Sequence, residues 1–509
     1  MQKKLLAVAV LSAFSGVAAA QSANVTLYGS IVQHVEQVSS TGGDGTTAAG
    51  ATGSSLRAAA ATATNASGTR VLTPAVGAAN AGVADQENRF RFNPAGSHFG
   101  LRGTEDLGNG LSAWFQMELS ANYGANPGIL GTTEGRAPTM RNTAVGLRSN
   151  TWGTALFGVW DTPFNVMVGA LNVNSRVAGA STVHNANLLG GNTLAQGAVS
   201  GQATSAWCTA AAGGTAASCA NFGMNFDRRE RSSIQWWSPN WNGFEARAAY
   251  NVTQDNGGIT VSNQGFGRNT LKQNIWDLSL AYSNGPLYVG YAYERQNDTL
   301  AAAARTYTGA GTGIGGGEAA AVGTQVGTWS IGSIAAAAAG NSYASGSTGT
   351  GHRLGARYTF AGVGPGSLGI GAMWESLKWG VTYGVDAGAV AAAAQNLTSL
   401  KKTAWRLQGN YAWGSHFIGL DYVKANATSG AIQSATAAAS NNFDGTSSGA
   451  RAWMLNYNYM LSKRTSIGAY YNTVRNETNA NYSGIVFGGV ATAPGATAKY
   501  LGMQLRHAF

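Results

Sequence analysis

Charged side chains recur at alternate positions within short segments of this sequence that are otherwise apolar on every second residue. Eight arginines fall on the polar face of these segments: Arg102, Arg148, Arg231, Arg247, Arg353, Arg357, Arg406 and Arg506. Seven carboxylates share that face: Glu36, Glu118, Glu245, Asp277, Glu294, Glu375 and Asp421. Fixed charges act most strongly on dissolved ions where a water-filled passage is narrow and its walls have a low dielectric constant. The pattern indicates ion selection, and the near balance of signs leaves its direction open.

No residue pattern indicates catalysis or a bound metal. The six histidines lie in separate segments without the ligand spacing of a metal site. Ser97 and His98 are neighbours, but strand alternation sends them to opposite faces, so they do not form a nucleophile and base pair. The glycine run GIGGGE (313 to 318) lacks the Lys and Ser/Thr of a phosphate-binding loop. We expect no enzyme activity, no cofactor and no metal.

The two cysteines, Cys208 and Cys219, lie in a polar stretch rich in Gly and Ala. Near the start of the chain Lys3 and Lys4 precede an apolar stretch and Ala18-Ala19-Ala20, which predicts a secretory signal peptide over residues 1–20 and one mature domain over 21–509. Export implies an oxidising compartment, so a disulfide is the favoured interpretation of the pair. Zinc is disfavoured because a site needs four ligands and only His184 lies near.

Composition indicates which solvent surrounds the apolar face of the segments. Charged residues make up 11% of the chain, under half of the ~25% that is usual in soluble domains. The 72 glycines are about twice the usual share. After the signal peptide no apolar run approaches the roughly 18 residues that a transmembrane helix needs. These features together predict a membrane β-barrel, which hides its hydrophobicity in every second residue.

Sixteen segments alternate between apolar and polar residues and are bounded by turn formers. They are 25–38, 97–105, 111–119, 140–148, 154–160, 231–238, 244–251, 274–282, 287–295, 352–360, 368–378, 402–411, 416–424, 450–460, 465–474 and 499–509. Seven short turns, such as SNGP (283 to 286), alternate strictly with eight long loops. An even-stranded antiparallel barrel with short periplasmic turns, long extracellular loops and both termini on the short-turn side has this arrangement. In the last segment Leu501, Met503 and Leu505 should face lipid, and the residues between them a channel.

Several stretches resemble the general porins of Gram-negative outer membranes, in particular the betaproteobacterial type. They include VTLYGSIVQ (25–33), SHFGLRGTEDLGNGLSAWFQME (97–118), AVGLRSNTWGTALFG (144–158), SSIQWWSPNWNGFEARAAY (232–250), GPLYVGYAY (285–293) and the terminal GMQLRHAF. The resemblance implies a multi-pass protein of the outer membrane: a sixteen-stranded barrel, a homotrimer, and a third loop folded into the lumen. It also implies that the strand ending on Phe509 is read by the outer-membrane assembly machinery, and that small hydrophilic solutes pass through the lumen.

The porin resemblance also implies a constriction in which basic wall residues oppose acids on loop 3. Of three wall arginines in the family pattern, two are replaced here, by His98 and Val159, and Arg231 remains. With residues placed on the water face by alternation, the predicted pore lining is His98, Arg102, Arg148, Val159, Asp161, Arg231, Arg247, Arg357 and Arg406. His98 would lie near the constriction, where its charge could switch between about pH 5 and 7.

Loop 3, roughly residues 161 to 227, contains Arg176 and has no Asp or Glu from Thr162 to Phe226. A constriction without carboxylates leaves nearby arginines less compensated, which predicts a mild anion preference that Arg231→Glu should shift toward cations. The unusual length of loop 3 keeps an alternative open, a solute-specific channel with a binding site shaped by that loop. The basic run RRER (228–231), where loop 3 rejoins the barrel, should line the lumen or contact lipopolysaccharide phosphates rather than nucleic acid.

Overall fold

The structure is a computed structural model of the chain. It describes residues 24–42, 62–64, 70–72, 86–94, 96–121, 138–174, 176, 188–191, 226–252, 260–261, 269–270, 274–297, 324–326, 329–331, 342–385, 397–431, 448–477, 480, 482 and 495–509. The predicted signal peptide, Cys208, Cys219 and His184 lie outside these residues. Among the described residues no helix is both long enough and apolar enough to cross a membrane.

Sixteen antiparallel strands form most of the wall, and each overlaps a predicted segment. They are β1 Asn24–Thr41, β2 His98–Gly108, β3 Leu111–Ser120, β4 Thr143–Ser149, β5 Gly153–Asp161, β6 Arg229–Trp237, β7 Phe244–Val252, β8 Asn274–Asn284, β9 Leu287–Asn297, β10 Ser342–Val363, β11 Gly366–Val385, β12 Leu397–Trp413, β13 His416–Ala425, β14 Ala450–Met460, β15 Thr465–Asn476 and β16 Thr497–Ala508. The prediction of a sixteen-stranded antiparallel barrel is confirmed.

The sheet closes because the first strand pairs with the last. Each strand is antiparallel to its neighbour in sequence, and β1 pairs with β2 at its beginning and with β16 from Ser30↔Ala508 to Thr41↔Thr497. Two short strands extend the wall: Gln86–Asn93 pairs with the outer half of β1, and Ser429–Ala431 pairs with β12. Closure satisfies the backbone hydrogen bonds that an open edge would leave unpaired within lipid.

The side chain of the last residue, Phe509, explains why Gly29 stands where the first and last strands meet. The backbones of Gly29 and Phe509 exchange two hydrogen bonds of 3.1 Å. A Cβ added to Gly29 would lie 2.6 Å from Cζ of Phe509, closer than two carbon atoms can approach without a shift. The chain therefore needs a glycine where its last side chain lies against β1.

Strand alternation separates two faces as predicted. On β16 the side chains of Leu501, Met503 and Leu505 are 53–65% exposed, whereas Tyr500 and Gln504 between them are at most 3% exposed. The exposed set is apolar and the inner set is rich in polar groups, so the outer face contacts lipid. Aromatic side chains cluster on the outer face toward the long loops, where ring centroids of Trp405 and Tyr422 lie 5.0 Å apart. Such rings mark the lipid interface.

Candidate functional site in the barrel lumen

Loop 3 enters the barrel through a short helix that follows β5 directly. The helix, α1, spans Pro163–Ala170, with a proline at its start and Thr162 as N-cap, whose side chain accepts a hydrogen bond from the backbone N–H of Asn165. The Thr162 hydroxyl donates to Glu294 Oε2 at 3.2 Å on β9. The backbone N–H of Phe164 donates to Asp277 Oδ1 at 3.2 Å on β8. These bonds join α1 to the inner wall, and a third loop folded into the lumen is confirmed.

Beyond α1 the loop follows the inner wall across successive strands. The backbone N–H of Val173 donates to Gln408 Oε1 at 2.9 Å on β12, and Asn174 Nδ2 donates to the Leu420 carbonyl at 2.8 Å on β13. Further on, the carbonyl of Arg176 accepts from Gln504 Nε2 at 3.3 Å on β16. Loop 3 therefore crosses the lumen from β9 to β16 in contact with the wall.

A second described piece of loop 3, Leu188–Gly191, is anchored separately. The Lys402 ammonium, fully buried on β12, donates to the carbonyls of Leu188, at 2.7 Å, and Gly191. The backbone N–H of Gly190 donates to Glu375 Oε1 at 2.9 Å. Alternation places Lys402 inside, but its role could not be seen in the sequence because its partners lie more than 200 residues away in the chain.

Buried ion pairs hold the end of loop 3. Arg353 on β10 contacts Asp227 at 2.7 Å and Glu375 at 2.8 Å, and its guanidinium lies 4.1 Å above the ring of Phe164. Burial raises the pKa of the Asp227 carboxyl, and Arg353 opposes this rise. Arg406 has no exposed surface and forms a buried pair with Asp421 beneath loop 3. Arg406, predicted to line the pore, thus faces inward but is covered by the loop.

Two of the three arginines in the basic run where loop 3 rejoins the wall form ion pairs with nearby carboxylates. Arg228 is buried in an ion pair with Glu230, and Arg229 Nε lies 2.9 Å from Asp161 Oδ1. Asp161, predicted for the constriction, also accepts from Asn142 Nδ2 at 3.0 Å. Arg228 and Arg229 therefore bind carboxylates where loop 3 meets the wall, rather than lipopolysaccharide phosphates.

A bulge lies beside two predicted pore residues, Val159 on β5 and Arg231 on β6. Gly158 pairs with Ser233 while Trp160 pairs with Glu230, so β6 carries an extra residue at this point. Val159 follows the outward alternation of Phe157, and the lumen side chain is Trp160. Arg231 lies at the bulge and is exposed. Val159 was placed in the pore lining through the porin pattern; alternation along β5, from exposed Phe157 to buried Trp160, sends its side chain outward.

Four lumen arginines have aromatic rings as neighbours and no ion-pair partner among the described residues. Their guanidinium carbons lie 4.8 to 5.7 Å from ring centroids, in the pairs Arg102 with Tyr28, Arg148 with Trp114, Arg247 with Trp237 and Arg357 with Tyr288. Arg357 also donates to the Ala170 carbonyl at 2.8 Å, at the end of α1. A ring holds a guanidinium in place without cancelling its charge. All four, called here the lumen arginines, were predicted as pore-lining residues.

Two of the lumen arginines border a recess of about 390 Å³. Arg102 and Arg148 line the recess together with neutral residues, and no carboxylate is among the lining residues. The neutral residues are Asn24, Thr26, Gly103, Thr104, Trp114, Phe115, Gln116, Trp160 and Trp237. Trp114, Trp160 and Trp237 pack against one another with centroid distances of 5.5 to 6.4 Å. Sequence reasoning missed this tryptophan cluster, although alternation on β3, β5 and β6 could have indicated it. His98 lies apart from the cluster and its Nδ1 is 2.9 Å from the Gly96 carbonyl oxygen.

A closed sixteen-stranded barrel, with its third loop packed inside a lumen of fixed charges, defines the porin class. The sequence profile of the Gram-negative porins matches residues 7–376, and the chain belongs to that family. It is a multi-pass protein of the outer membrane.

Two known proteins show the similarity in detail. An outer membrane porin protein of Bordetella pertussis is 28% identical over 311 residues, covering 58% of this chain and 60% of that relative. The match thus spans less than two thirds of the relative's length. The solved anion-selective porin from Comamonas acidovorans has a TM-score of 0.53 and 17% identity, covering 96% of this chain and 100% of that one. This likeness establishes the fold.

Proposed function

We propose that the protein is a passive channel through which small hydrophilic solutes and ions diffuse without catalysis or energy input. The observation that carries the proposal is the lumen, which holds loop 3 and still presents four arginines without ion-pair partners among the described residues. Side chains cannot fill a barrel of sixteen strands, so water occupies the remainder. Reconstitution into planar bilayers tests the proposal: stepwise conductance is expected, and its absence from correctly folded protein would refute it.

Anions should pass more readily than cations. Six wall or hinge carboxylates, Glu36, Glu118, Asp161, Asp227, Glu375 and Asp421, are occupied in ion pairs with arginines. The lumen arginines have no such partner among the described residues, so their positive charge acts on ions in the lumen. The described part of loop 3 between Thr162 and Phe226 adds one further charged side chain, Arg176. A porin of the same fold is named as anion-selective. The reversal potential in a potassium chloride gradient should have the sign of an anion-selective pore.

A solute-specific channel is the second candidate, favoured by the recess beside Arg102 and Arg148. A site with two arginines, amide and hydroxyl groups, and no carboxylate suits a small anion. Conductance that saturates or is blocked by micromolar phosphate or an organic carboxylate would support specific binding. Conductance that stays proportional to salt concentration would support the general pore.

We propose a homotrimer assembled through the outer face of β2–β6. Strand β4 has seven residues, fewer than the 9–11 that a tilted strand needs to cross a bilayer. Its neighbours present large apolar side chains, including Phe99, Phe115 and Phe157. An apolar face whose central strand is too short to cross a bilayer suits another protomer. Native mass spectrometry of detergent-solubilised protein should give a trimer, and a monomer would contradict the assignment.

We also propose three features of maturation. Residues 1–20 are removed on export, Cys208 and Cys219 are joined by a disulfide, and the strand ending at Phe509 is the signal for the outer-membrane assembly machinery. The physical support for the disulfide is the oxidising compartment. Intact mass spectrometry of non-reduced protein tests the first two features. A mass that includes Met1, or two alkylatable thiols, would refute them.

A further inference from the structure

Trp160 packs against both of the rings on which two lumen arginines rest. Its ring centroid lies 5.8 Å from that of Trp114 and 5.5 Å from that of Trp237. The guanidinium carbon of Arg148 lies 5.7 Å from the Trp114 centroid. The guanidinium carbon of Arg247 lies 4.8 Å from the Trp237 centroid. One neutral side chain therefore contacts the supports of two charges that come from different strands, β4 and β7.

Close packing fixes the position of these rings. Trp114 is 7% exposed and Trp160 is 9% exposed. They form a buried group with Ala144 and Leu156, against which Trp237 packs. The planes of Trp114 and Trp160 are 80° apart, an edge-to-face arrangement that aromatic pairs favour. Side chains in such a closely packed group keep one rotamer, so loss of the Trp160 ring would free both of its neighbours to move.

A hydrogen-bonded contact ties the tryptophan cluster to the start of loop 3. The side-chain oxygen of Gln235 accepts a hydrogen bond from Trp237 Nε1 at 3.0 Å. The side-chain nitrogen of Gln235 donates to the backbone carbonyl of Asp161 at 3.0 Å. Asp161 follows Trp160 directly and ends β5. The ring beneath Arg247 is thus held by two consecutive residues of one strand, through ring packing with Trp160 and through Gln235 with Asp161.

The position of Arg247 matters because a carboxylate lies within its reach. Glu245 precedes it by two residues on β7, so alternation places both side chains on the lumen face. Two such residues are about 7 Å apart along a strand. In the structure Glu245 accepts a hydrogen bond from Asn240 Nδ2 at 3.3 Å, while the Arg247 guanidinium rests on Trp237. A guanidinium released from its ring would be free to pair with Glu245, and its charge would then be cancelled.

We infer that Trp160 is a positioning residue for ion selectivity. It holds the rings of Trp114 and Trp237, which keep the guanidinium groups of Arg148 and Arg247 in place and away from carboxylates. A charge that is already fixed in the lumen acts on every passing ion, whereas a mobile or paired charge acts less. The inference rests on the proposed channel function. It predicts a shift in selectivity toward cations when Trp160 is lost, whichever ion the wild type prefers.

The test is the reversal potential in a potassium chloride gradient. Trp160→Leu leaves the charge of the protein unchanged and should lower the ratio of anion to cation permeability about threefold, because a displaced or paired charge has a weaker field. Trp160→Phe keeps a flat ring and should retain most of the wild-type ratio. Trp236→Leu is the matched control, because it removes a ring that is 37% exposed on the lipid face, and it should change nothing.

An unchanged ratio in the Trp160→Leu channel would overturn the inference. Trp160→Met fills more of the space without a ring, and the same threefold loss is expected of it, so the test stands even where the leucine variant does not fold. A wild type that conducts no current would refute the channel itself. A conducting wild type with no shift in the leucine and methionine variants would refute only the role of Trp160.

A double-mutant comparison separates positioning from general packing. In a channel that carries Arg148→Gln and Arg247→Gln, Trp160→Leu should no longer change the ratio, because the charges that it positions are gone. In a channel that carries Arg102→Gln and Arg357→Gln the effect of Trp160→Leu should persist, since these two arginines rest on tyrosine rings instead. Equal effects in the two backgrounds would show that Trp160 does not act through Arg148 and Arg247.

Discussion

Each lumen arginine is fixed by an aromatic ring rather than by a carboxylate. Arg148 lies above Trp114 and Arg247 above Trp237, and neither has an ion-pair partner among the described residues. Arg353 and Arg406 instead form ion pairs with buried carboxylates. Two arginines of the same strand face can therefore have opposite roles. The functional difference depends on whether a buried carboxylate forms an ion pair with the guanidinium.

Arg148→Glu should shift selectivity toward cations. Reversing one lumen charge changes the ratio of anion to cation permeability by roughly fivefold or more, since a unit charge in water acts at short range with about 1 kcal/mol. The reversal potential in a salt gradient measures the ratio. Arg231→Glu, at the bulge, should give a smaller shift, and Arg295→Glu, on the lipid face, none. A larger effect at Arg231 would place the constriction at the bulge.

Arg353→Met should destabilise the protein by about 3–5 kcal/mol, because Glu375 and Asp227 would be left buried without their partner. Thermal unfolding followed by circular dichroism measures the loss. Arg295→Met removes an exposed arginine of the neighbouring strand and should change the unfolding temperature little. Similar unfolding temperatures for both variants would contradict the buried network.

Sequence alternation predicted the inward direction of Arg102, Arg148, Arg247 and Arg357 because it is a local property of a strand. The porin pattern, rather than alternation, assigned Val159 to the lumen, and alternation from the exposed Phe157 places it on the outer face. Alternation did not predict the covering of Arg406, since that depends on the path of a loop more than 200 residues earlier in the chain. The face of the strand on which a residue lies could thus be predicted, whereas its burial under loop 3 could not.

Among the elements, loop 3 has two separate attachments to the wall. Helix α1 meets β8 and β9, and the Leu188–Gly191 piece meets β11 and β12. An aromatic chain of Phe164, Phe226 and Trp379, with centroids 5.7 Å apart at each step, joins them. From the sequence, the entry of loop 3 into the lumen could be predicted only by resemblance to the porin family. Hydrogen bonds between distant segments leave no periodic signal in a sequence.

Lys402→Met should loosen the second attachment while α1 stays in place. The variant loses the donor to two buried carbonyls, which costs about 1–3 kcal/mol. Single-channel recordings should show more frequent current fluctuations and closure at lower voltage. Lys401→Met, one residue away on the lipid face, is the matched control in phosphatidylcholine bilayers. Identical noise in both variants would show that this anchor does not restrain the loop.

The whole barrel depends on the seam between its first and last strands. Gly29→Val should impair closure because its side chain would occupy the place of the Phe509 ring. The fraction of protein that resists unfolding in detergent electrophoresis until heated should fall. Gly409→Val is the control, since an added Cβ there would meet only the Gly369 carbonyl oxygen at 4.0 Å. Normal folding of the Gly29 variant would show that the terminal ring can move aside.

The pairing of Ser30 with Ala508 also sets the order of events in folding. The edge of β1 that receives β16 has no partner until the last residues of the chain have been made. Contacts so distant in sequence carry a high loop-closure entropy, which slows folding. Meanwhile β1 is an open strand edge of the kind that aggregates. We expect such a chain to depend on a partner that protects this edge in the periplasm until both ends can meet in the membrane.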